Sequence, residues 1–208
     1  MSQHNQGDSA LPNTTASPTV KDDNLEQTWA MLTRGAADKR SPLNTPAIAT
    51  VDADGLAQVR TVVLRACRPS ERMLECHTDL RSAKVSELSA RPALTWHFWD
   101  HRSRIQVRAT STATVHHRNE HAADAWDRLH SGGRRIYRQI APPGQPVSDA
   151  DAAANDLMPE PDALENFVRI ITHVTALERL HLARDGHRRN RWVWDAEAGA
   201  WIGTAIAP

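Results

Sequence analysis

The chain has 208 residues, with 25 basic and 25 acidic side chains and a formal net charge of +0. This length is enough for one ordinary domain with a sizeable core. A neutral chain has no global field to recruit nucleic acid or an anionic membrane, so neither is an expected partner. The two cysteines, Cys67 and Cys76, are typical of a reducing compartment, and we expect both to be buried free thiols.

The N-terminal segment, residues 1–22, consists mainly of Ser, Thr, Asn, Gln, Pro and Asp. It has too little apolar surface to offset the entropy of ordering, so we predict a disordered tail followed by one domain over residues 23–208. It lacks the basic and apolar regions of a signal peptide. No apolar run approaches the ~20 residues that span a bilayer. We therefore expect a cytoplasmic protein.

The first half of the domain reads as one helix followed by short strands. Leu25, Trp29 and Leu32 recur at helical spacing and predict a helix over residues 23–37. Residues 45–51 and 56–66 read as two strands joined by a tight turn at residues 52–55, which ends in Gly55. Residues 72–77 predict a third strand, residues 82–90 a short helix, and residues 93–99 a further strand.

The second half contains the clearest strand pattern in the chain. From Ile105 to His116 apolar and polar residues alternate, which predicts a half-buried strand with Gln106 and Arg108 on its polar face. Residues 118–130 read as a helix that ends at residues 131–133. Residues 141–161 read as a surface excursion, and residues 167–182, 190–195 and 200–206 as three closing strands. Six or seven short strands linked by tight turns predict an antiparallel barrel.

The segment from Arg60 to Lys84 carries the strongest chemical signal. A β-rich run flanked by Arg60 and Arg65 leads to a second strand, which ends in hydroxyls and cations at the start of a helix. Free N–H groups and the positive end of a helix dipole favour an anion at such a position. The donors there suit a terminal phosphate, so the sequence predicts a phosphorylated ligand. These donors are Thr78, Arg81, Ser82 and Lys84.

Four segments, in this order, resemble the pyridoxamine 5′-phosphate oxidase family. They are residues 60–65, residues 77–84, Arg104-Ile105-Gln106-Val107-Arg108 and the C-terminal residues 201–208. The resemblance runs from about Leu25 to Pro208 and is closest to the Alr4036-like branch of FMN-binding proteins. It implies a mainly β (α+β) fold, an antiparallel FMN-binding split β-barrel with peripheral helices. It also implies a homodimer with FMN at the subunit interface.

The resemblance further implies which residues hold the cofactor. Arg60, Ser82 and Lys84 take the flavin phosphate, strand backbone lines the ring, and Gln106 reaches the flavin from the partner subunit. The family often has Arg directly before the lysine, where this chain has Ala83, and Arg81 is the candidate for the missing contact. The full implied set is Arg60, Thr61, Val62, Val63, Leu64, Arg65, His77, Thr78, Arg81, Ser82, Lys84, Gln106 and Arg191.

The substrate half of the resembling site is altered. True pyridoxamine phosphate oxidases have Arg-x-His-x-Arg where this chain has His187, Arg189 and Arg191, and Arg65 replaces the substrate lysine. The aromatic residue and arginine that hold the substrate phosphate near residue 130 are replaced as well. Candidate substrate contacts are therefore Arg65, His187 and Arg189, and no catalytic acid or base is assigned.

Three functions are compatible with these residues. The first is an FMN-dependent oxidoreductase that acts on a different small molecule, and the second is a non-catalytic FMN-binding or stress-response protein. The third is a split barrel that binds haem or a deazaflavin. A metal site is not expected, because His116, His117 and His121 lack the further ligands of a tetrahedral set.

Overall fold

The computed structural model describes residues 22–148 and 157–208. The predicted tail therefore lies outside the described residues, except for Asp22, and so does part of the predicted excursion, residues 149–156. The described helices are α1 Asp23–Ala37, α2 Ala83–Ala90, α3 Glu120–Asp127, α4 Ser131–Arg134 and α5 Glu160–Ala163. Within the described ranges, no helix is long and apolar enough to cross a membrane.

In the described residues, nine strands form a single antiparallel sheet. They are β1 Ala47–Val51, β2 Ala57–Thr61, β3 Ala66–Arg68, β4 Met73–Asp79, β5 Ala93–Asp100, β6 Ile105–His116, β7 Phe167–His181, β8 Arg188–Asp195 and β9 Ala200–Ile206. Their order is β2-β1-β5-β6-β7-β4-β3, and β8 joins β7 beside β4 and carries β9. In the described residues the sheet is not closed. The antiparallel sheet and the helices around it confirm the predicted split barrel with peripheral helices.

The predicted strand over residues 56–66 is wrong, and its division explains part of the difference between nine strands and the expected six or seven. β2 ends at Thr61, and the extended chain then changes its hydrogen-bond partner. The Leu64 N–H still donates to the carbonyl of Asn44, whereas the Arg65 N–H donates to that of Glu75 on β4. The segment therefore crosses from one side of the barrel to the other, a change of neighbour that a local pattern does not encode.

Two hydrophobic cores lie on opposite faces of the sheet. The main core contains Trp29 and Leu32 of α1 and the inward faces of β5 and β6, including the fully buried Trp96 and Phe98. The second core lies on the outer face, where Trp126 of α3 packs with Tyr137 and Phe167. Their ring centroids are 5.1–5.9 Å apart. The sheet therefore separates two packed layers, and each face can carry its own polar site.

The helices confirm most of the predicted ends. Asp22 caps α1 by accepting hydrogen bonds from the N–H groups of Asn24 and Leu25. The helix predicted over residues 118–130 is shorter, because Asn119 caps α3 and its last helical residue is Asp127. Residues 131–133, which were predicted to end that helix, instead start the short helix α4. His130 caps α4, because its Nδ1 accepts a hydrogen bond from the Gly133 N–H.

We expect Gly203→Ala to destabilise the protein by about 1–3 kcal/mol, the usual cost of overpacking. A methyl group at Gly203 would lie 2.7 Å from Cδ1 of Trp192, which is fully buried. Trp192 cannot yield freely, because its Nε1–H donates to the carboxylate of Asp22 at the start of α1. Chemical denaturation measures the change, and because Gly203 does not have a positive φ, the loss reports overpacking and not backbone strain. A Gly203→Ala variant as stable as the wild type would contradict this account of Trp192.

Candidate functional site

The start of α2 gathers most of the predicted phosphate ligands. Thr78 and Ser82, both buried, have their hydroxyl oxygens 3.0 Å apart, and Lys84 Nζ donates to Thr78 Oγ1 at 3.0 Å. Ser82 is the N-cap residue of α2 but makes no side-chain cap hydrogen bond, because its hydroxyl donates to the carbonyl of Asp79. The first N–H groups of α2 are thus left for another acceptor. We call Arg60, Thr78, Ser82 and Lys84 the α2 cluster.

The positive charges of the α2 cluster act on one another. Burial lowers the pKa of Lys84, and the nearby Arg60 guanidinium lowers it further. A bound anion would reverse both effects by compensating the charges. These cations and hydroxyls at an uncapped helix start therefore fit a phosphate group.

Arg60 also belongs to a buried network that the sequence analysis did not anticipate. Its Nη2 lies 2.9 Å from Oε2 of Glu87, and its Nη1 donates to Thr50, which in turn donates to Glu87. Glu87 and Thr50 are both buried. The only sequence signal for Glu87 is its position one helical turn after Lys84, which places both on one face of α2. Arg60 is therefore a structural counter-ion as well as a candidate phosphate ligand.

We expect Arg60→Ala to lower the free energy of unfolding by about 1–3 kcal/mol, because it leaves the Glu87 carboxylate buried without its cation. The double variant Arg60→Ala/Glu87→Gln should recover most of that loss. Urea denaturation of both variants without added flavin tests this. Equal losses in the two variants would show that the ion pair does not hold the fold here.

Arg81 does not join the α2 cluster. Its guanidinium donates two hydrogen bonds to the Asp79 carboxylate, Nε to Oδ1 at 2.9 Å and Nη2 to Oδ2 at 2.7 Å. The same group also donates to the carbonyls of Gln139 and Ile140, each at 2.9 Å. All its nitrogens are therefore used in tying β4 to the segment after α4, and in this conformation it leaves the position of Ala83 uncompensated.

Residues 61–64, which are predicted to line the flavin ring, are extended between β2 and β3. The side chains of Val62 and Leu64 are buried in the main core, and their N–H groups donate to the carbonyls of Pro46 and Asn44. The Val63 N–H has no partner within residues 22–148 and 157–208, and the side chain of Thr61 is exposed. Core packing and an available backbone donor therefore coexist in this segment.

Gln106, Arg189 and Arg191 lie in neighbouring rows of the sheet, away from the row that contains Thr78. Gln106 and Arg189 stand in one row across the sheet, both opposite Leu180, and Arg191 lies opposite Glu178 in the next row. Thr78, by contrast, pairs with Val168. Twelve residues of β7 separate Val168 from Leu180, about 40 Å along the strand at ~3.3 Å per residue. The chain thus divides the predicted flavin residues into two groups.

Within the second group, Arg189 is already paired. Its Nη2 lies 2.6 Å from Oε1 of Glu178, which also accepts from Arg108 at 3.4 Å. Arg191 is exposed, and His187 is exposed in the turn before β8. The side chain of Gln106 makes no hydrogen bond within the described part of the chain. Gln106 and Arg191 are therefore available to a ligand, whereas Arg189 would first have to leave Glu178.

His77 and Arg65 belong to a third location, on the outer face of the sheet. Neighbouring residues of a strand point to opposite faces, so the His77 side chain lies away from that of Thr78 and from the α2 cluster. His77 and Arg65 line a cleft of about 250 Å³ near the end of α3. We call it the Arg65 cleft, and its charged or titratable lining residues are Lys39, Arg65, Arg68, Glu75, His77, Arg128 and His130.

A buried ion pair supports this cleft, and sequence reasoning missed it. Glu75 Oε2 accepts a hydrogen bond from Arg169 Nη2 at 2.6 Å, and Glu75 Oε1 lies 2.9 Å from His77 Nε2. Burial raises the pKa of Glu75, but these two hydrogen bonds outweigh it and the net pKa is lowered. The available signal was the placement of Glu75 and His77 two residues apart, which puts both on one face of β4.

The two cysteines are free, as predicted. Cys76 is fully buried, and burial raises its pKa to about 12. Cys67 is half-buried, so it only partly meets the prediction of a buried thiol, and burial raises its pKa to about 11. Both thiols are therefore protonated at neutral pH and are poor nucleophiles. The described residues contain no cluster of three metal-ligating side chains.

Comparison with known proteins identifies the class to which this fold belongs. The chain resembles a pyridoxamine 5′-phosphate oxidase-related, FMN binding protein from Nostoc punctiforme, with a TM-score of 0.73 and 20% identity over 92% of this chain and 100% of the other. It also resembles PhzG from Burkholderia lata, solved with tetrahydrophenazine-1-carboxylic acid, with a TM-score of 0.69 and 18% identity over 92% and 94%. The fold is thus that of the FMN-binding split barrels. No curated protein matches the chain.

A family model matches part of the sequence. Residues 26–117 match the family model of the pyridoxamine 5′-phosphate oxidase, FMN-binding domain. The matched segment contains the whole α2 cluster and Gln106. With the fold, this match supports an FMN-binding domain of the pyridoxamine 5′-phosphate oxidase type over residues 26–117, and FMN as the cofactor. The donors of the α2 cluster fit the phosphate of FMN.

Proposed function

We propose that this protein is an FMN-dependent oxidoreductase whose substrate differs from pyridoxine phosphate. The α2 cluster carries the proposal, because Thr78, Ser82 and Lys84 converge on a helix start whose N–H groups lack a cap. When bound, FMN would supply the two-electron chemistry. The residues of the chain would hold its phosphate, line its ring through the backbone at residues 61–64, and orient the substrate.

In this proposal the Arg65 cleft receives the charged part of the substrate. Arg65, Arg68 and Arg128 each bring a guanidinium to the cleft, while its one lining carboxylate, Glu75, is already paired with Arg169. Arg68 and Arg128 are paired with Glu71 and Asp124, so an anionic substrate group would meet the charges of Arg65 and Lys39, which have no ion pair among the described residues. Within the family we place the chain nearest the Alr4036-like branch, and we propose the cytoplasm as its location.

We also propose that the protein acts as a homodimer with FMN at the subunit interface. The separation of Thr78 from Gln106 and Arg191 along β7 supports this arrangement. A second copy could bring its own Gln106 and Arg191 to the α2 cluster. Apolar side chains that a partner could cover, such as Val193 and Ile202, stand exposed side by side on β8 and β9.

Mixing two defective variants tests the shared site. We expect Lys84→Met and Arg191→Ala each to retain little FMN, whereas subunit exchange between them should restore binding to one of the two sites in each mixed dimer. That site combines the intact α2 cluster of one copy with the intact Arg191 of the other. Flavin retention after gel filtration gives the readout, and each variant mixed with itself is the control. A mixture that retains no more FMN than the separate variants would exclude a shared site.

The visible spectrum of the purified protein, before and after addition of FMN, tests the proposed function. Flavin bands near ~450 nm that survive gel filtration, followed by peroxide release with one of a panel of anionic amines and alcohols, would establish an oxidase. Arg65→Met should lose turnover while it retains flavin, because Arg65 lies in the cleft and outside the α2 cluster. Retained flavin without turnover on any substrate would leave the second candidate.

That second candidate is a non-catalytic FMN-binding protein. One observation favours it: Glu178 holds Arg189 at 2.6 Å and so neutralises a guanidinium that a substrate would use. The variant Glu178→Gln separates the candidates, because an oxidoreductase should respond to the release of Arg189 with a changed KM. A flavin carrier should show the same flavin affinity and no turnover in both forms.

A further inference from the structure

Arg60 is held by the protein along one edge of its guanidinium, the edge formed by the two terminal nitrogens. Its Nη1 donates to the Thr50 hydroxyl and, at 3.0 Å, to the carbonyl of Gln58, and its Nη2 lies 2.9 Å from Oε2 of Glu87. The Thr50 hydroxyl donates in turn to Glu87, so the three side chains form a closed ring of hydrogen bonds. Thr50 and Glu87 are both buried, which shields these bonds from water.

The side edge of the same guanidinium is unused. A guanidinium carries five N–H donors in a rigid planar fork, and the Nε–H and one Nη2–H point the same way along its side. Within residues 22–148 and 157–208, Nε of Arg60 has no hydrogen-bond partner, and the only acceptor for its Nη2 is Glu87. The Arg60 side chain is 23% exposed, so a ligand can reach it. Two parallel donors are therefore available, the arrangement that binds two oxygens of one phosphate.

The Glu87 carboxylate lies beside a candidate site for an anion. On charge alone it should weaken the binding of a phosphate, because like charges repel. A free arginine side chain, however, samples many rotamers and loses that freedom when a ligand immobilises it. Arg60 has already lost it in the folded protein, since its terminal nitrogens are bonded to three protein acceptors. Glu87 can therefore favour binding through geometry although its charge opposes it.

We infer that Glu87 and Thr50 are positioning residues for the cofactor, which hold one edge of Arg60 so that its free Nε–Nη2 edge is oriented in advance to bind two oxygens of the FMN phosphate. Both residues act through Arg60, and neither is assigned a contact with the phosphate. The inference deepens the proposed function and rests on its assignment of the phosphate to the α2 cluster. It gives the buried Thr50–Glu87 pair a role in cofactor affinity in addition to its role in stability.

Two variants of equal charge separate geometry from charge. Glu87→Gln keeps an oxygen that can accept from Arg60, whereas Glu87→Met removes the acceptor, and both remove the negative charge. We expect Glu87→Met to bind FMN about tenfold more weakly than Glu87→Gln, because the released Arg60 must then be ordered on binding. Riboflavin, which lacks the phosphate, should bind both variants equally. Quenching of flavin fluorescence gives the dissociation constants for the full-length protein.

The Thr50 hydroxyl provides an independent check on the same ring of hydrogen bonds. Thr50→Val keeps the shape of the side chain and removes the hydroxyl, so it should weaken the binding of FMN and leave that of riboflavin unchanged. Thr50→Ser keeps the hydroxyl and should bind FMN as the wild type does. If Glu87→Met does not fold, ¹⁵N arginine spectra of the wild type replace it, and the Nε–H signal of Arg60 should move with FMN and not with riboflavin.

Lys84→Met distinguishes failure of this inference from failure of the phosphate site. If Lys84→Met weakens FMN binding while Glu87→Met and Glu87→Gln bind FMN equally, the α2 cluster holds the phosphate but Glu87 does not position Arg60, and the inference is overturned. An equal loss of FMN and riboflavin binding in Glu87→Met, or an Arg60 Nε–H signal that does not respond to FMN, overturns it as well. A Lys84→Met variant that binds FMN as the wild type does would refute the phosphate assignment and the inference with it.

Discussion

Removal of both cations from the α2 cluster should lower the affinity for FMN by about a hundredfold or more. A charge-assisted contact to phosphate contributes roughly 1.5–3 kcal/mol, so the loss of Arg60 and Lys84 together costs at least about 3 kcal/mol. Lys84 can be changed with little structural damage, since burial and the neighbouring Arg60 already disfavour its charged form in the flavin-free protein. The measurement is the dissociation constant for FMN, followed by quenching of flavin fluorescence.

The design of this variant follows from the network around Arg60. Because Arg60 compensates the buried Glu87, the variant is Arg60→Ala/Lys84→Met/Glu87→Gln, which leaves no carboxylate without a cation. Lys39→Met is the matched control, since that lysine lines the Arg65 cleft and has no contact with the α2 cluster. A folded triple variant that binds FMN as tightly as the control would refute the assignment of the phosphate to the α2 cluster.

Arg169→Met should be the most destabilising single substitution among those considered, by about 3–5 kcal/mol, the usual cost of breaking a buried ion pair from one side. It leaves the Glu75 carboxylate buried, with His77 as its remaining hydrogen-bond partner. Guanidinium denaturation at pH 7 measures the loss. The double variant Arg169→Met/Glu75→Gln is the control and should be clearly more stable than Arg169→Met, because it removes the stranded charge.

The Glu75–Arg169 ion pair makes the stability of the protein dependent on pH. The pKa of Glu75 is lowered in the folded protein, so its contribution is present above the ordinary carboxyl pKa of about 4.3 and is lost as the pH falls through the lowered value. Without Arg169 that pKa rises, and Glu75 can take up a proton at a higher pH. We therefore expect the destabilisation by Arg169→Met to shrink between pH 7 and pH 4. A loss that stays constant over this range would show that the Glu75 charge is not its cause.

The lowered pKa of His77 acts in the same direction. Burial favours the neutral ring in the folded state, so its contribution is present above the unfolded pKa of about 6.5 and is lost as the pH falls below it. Acid should therefore weaken the wild-type protein first through His77 and then through Glu75. Glu75 and His77 line the Arg65 cleft and Arg169 is bonded to Glu75, so protonation of these two residues should weaken the packing of the outer face at the cleft.

Local patterns predicted those features that depend on neighbours in the chain. The alternation from Ile105 to His116 predicted β6 and placed Gln106 and Arg108 on its outer face, as observed. The spacing of Leu25, Trp29 and Leu32 predicted α1, and the turn at residues 52–55 predicted the β1–β2 hairpin. The hydroxyls and cations before α2 indicated an anion site, and the family match confirmed FMN as the cofactor.

Other features arise from contacts between residues distant in the chain. The crossing at residues 62–65 depends on Asn44, in a short 3-10 turn before β1, and on Glu75 of β4, so the run of apolar residues there read as one strand instead of two. The partner of Arg60 is Glu87, 27 residues away, and that of Glu75 is Arg169, 94 residues away. Pairings of this kind are set by sheet order, which no local propensity encodes.

The sequence by itself determined the antiparallel class and the residue types at the anion site, because these follow from short-range periodicity and from motifs within a few residues of one another, and its resemblance to a known family implied the cofactor. Only the tertiary structure decided which residues act together. It divided the predicted flavin residues between two ends of β7, tied Arg81 to the loop at residues 139–140, and turned His77 away from Thr78 into the Arg65 cleft. The physical reason is that adjacent residues of a strand face opposite sides of a sheet, so nearness in sequence does not place side chains in one site.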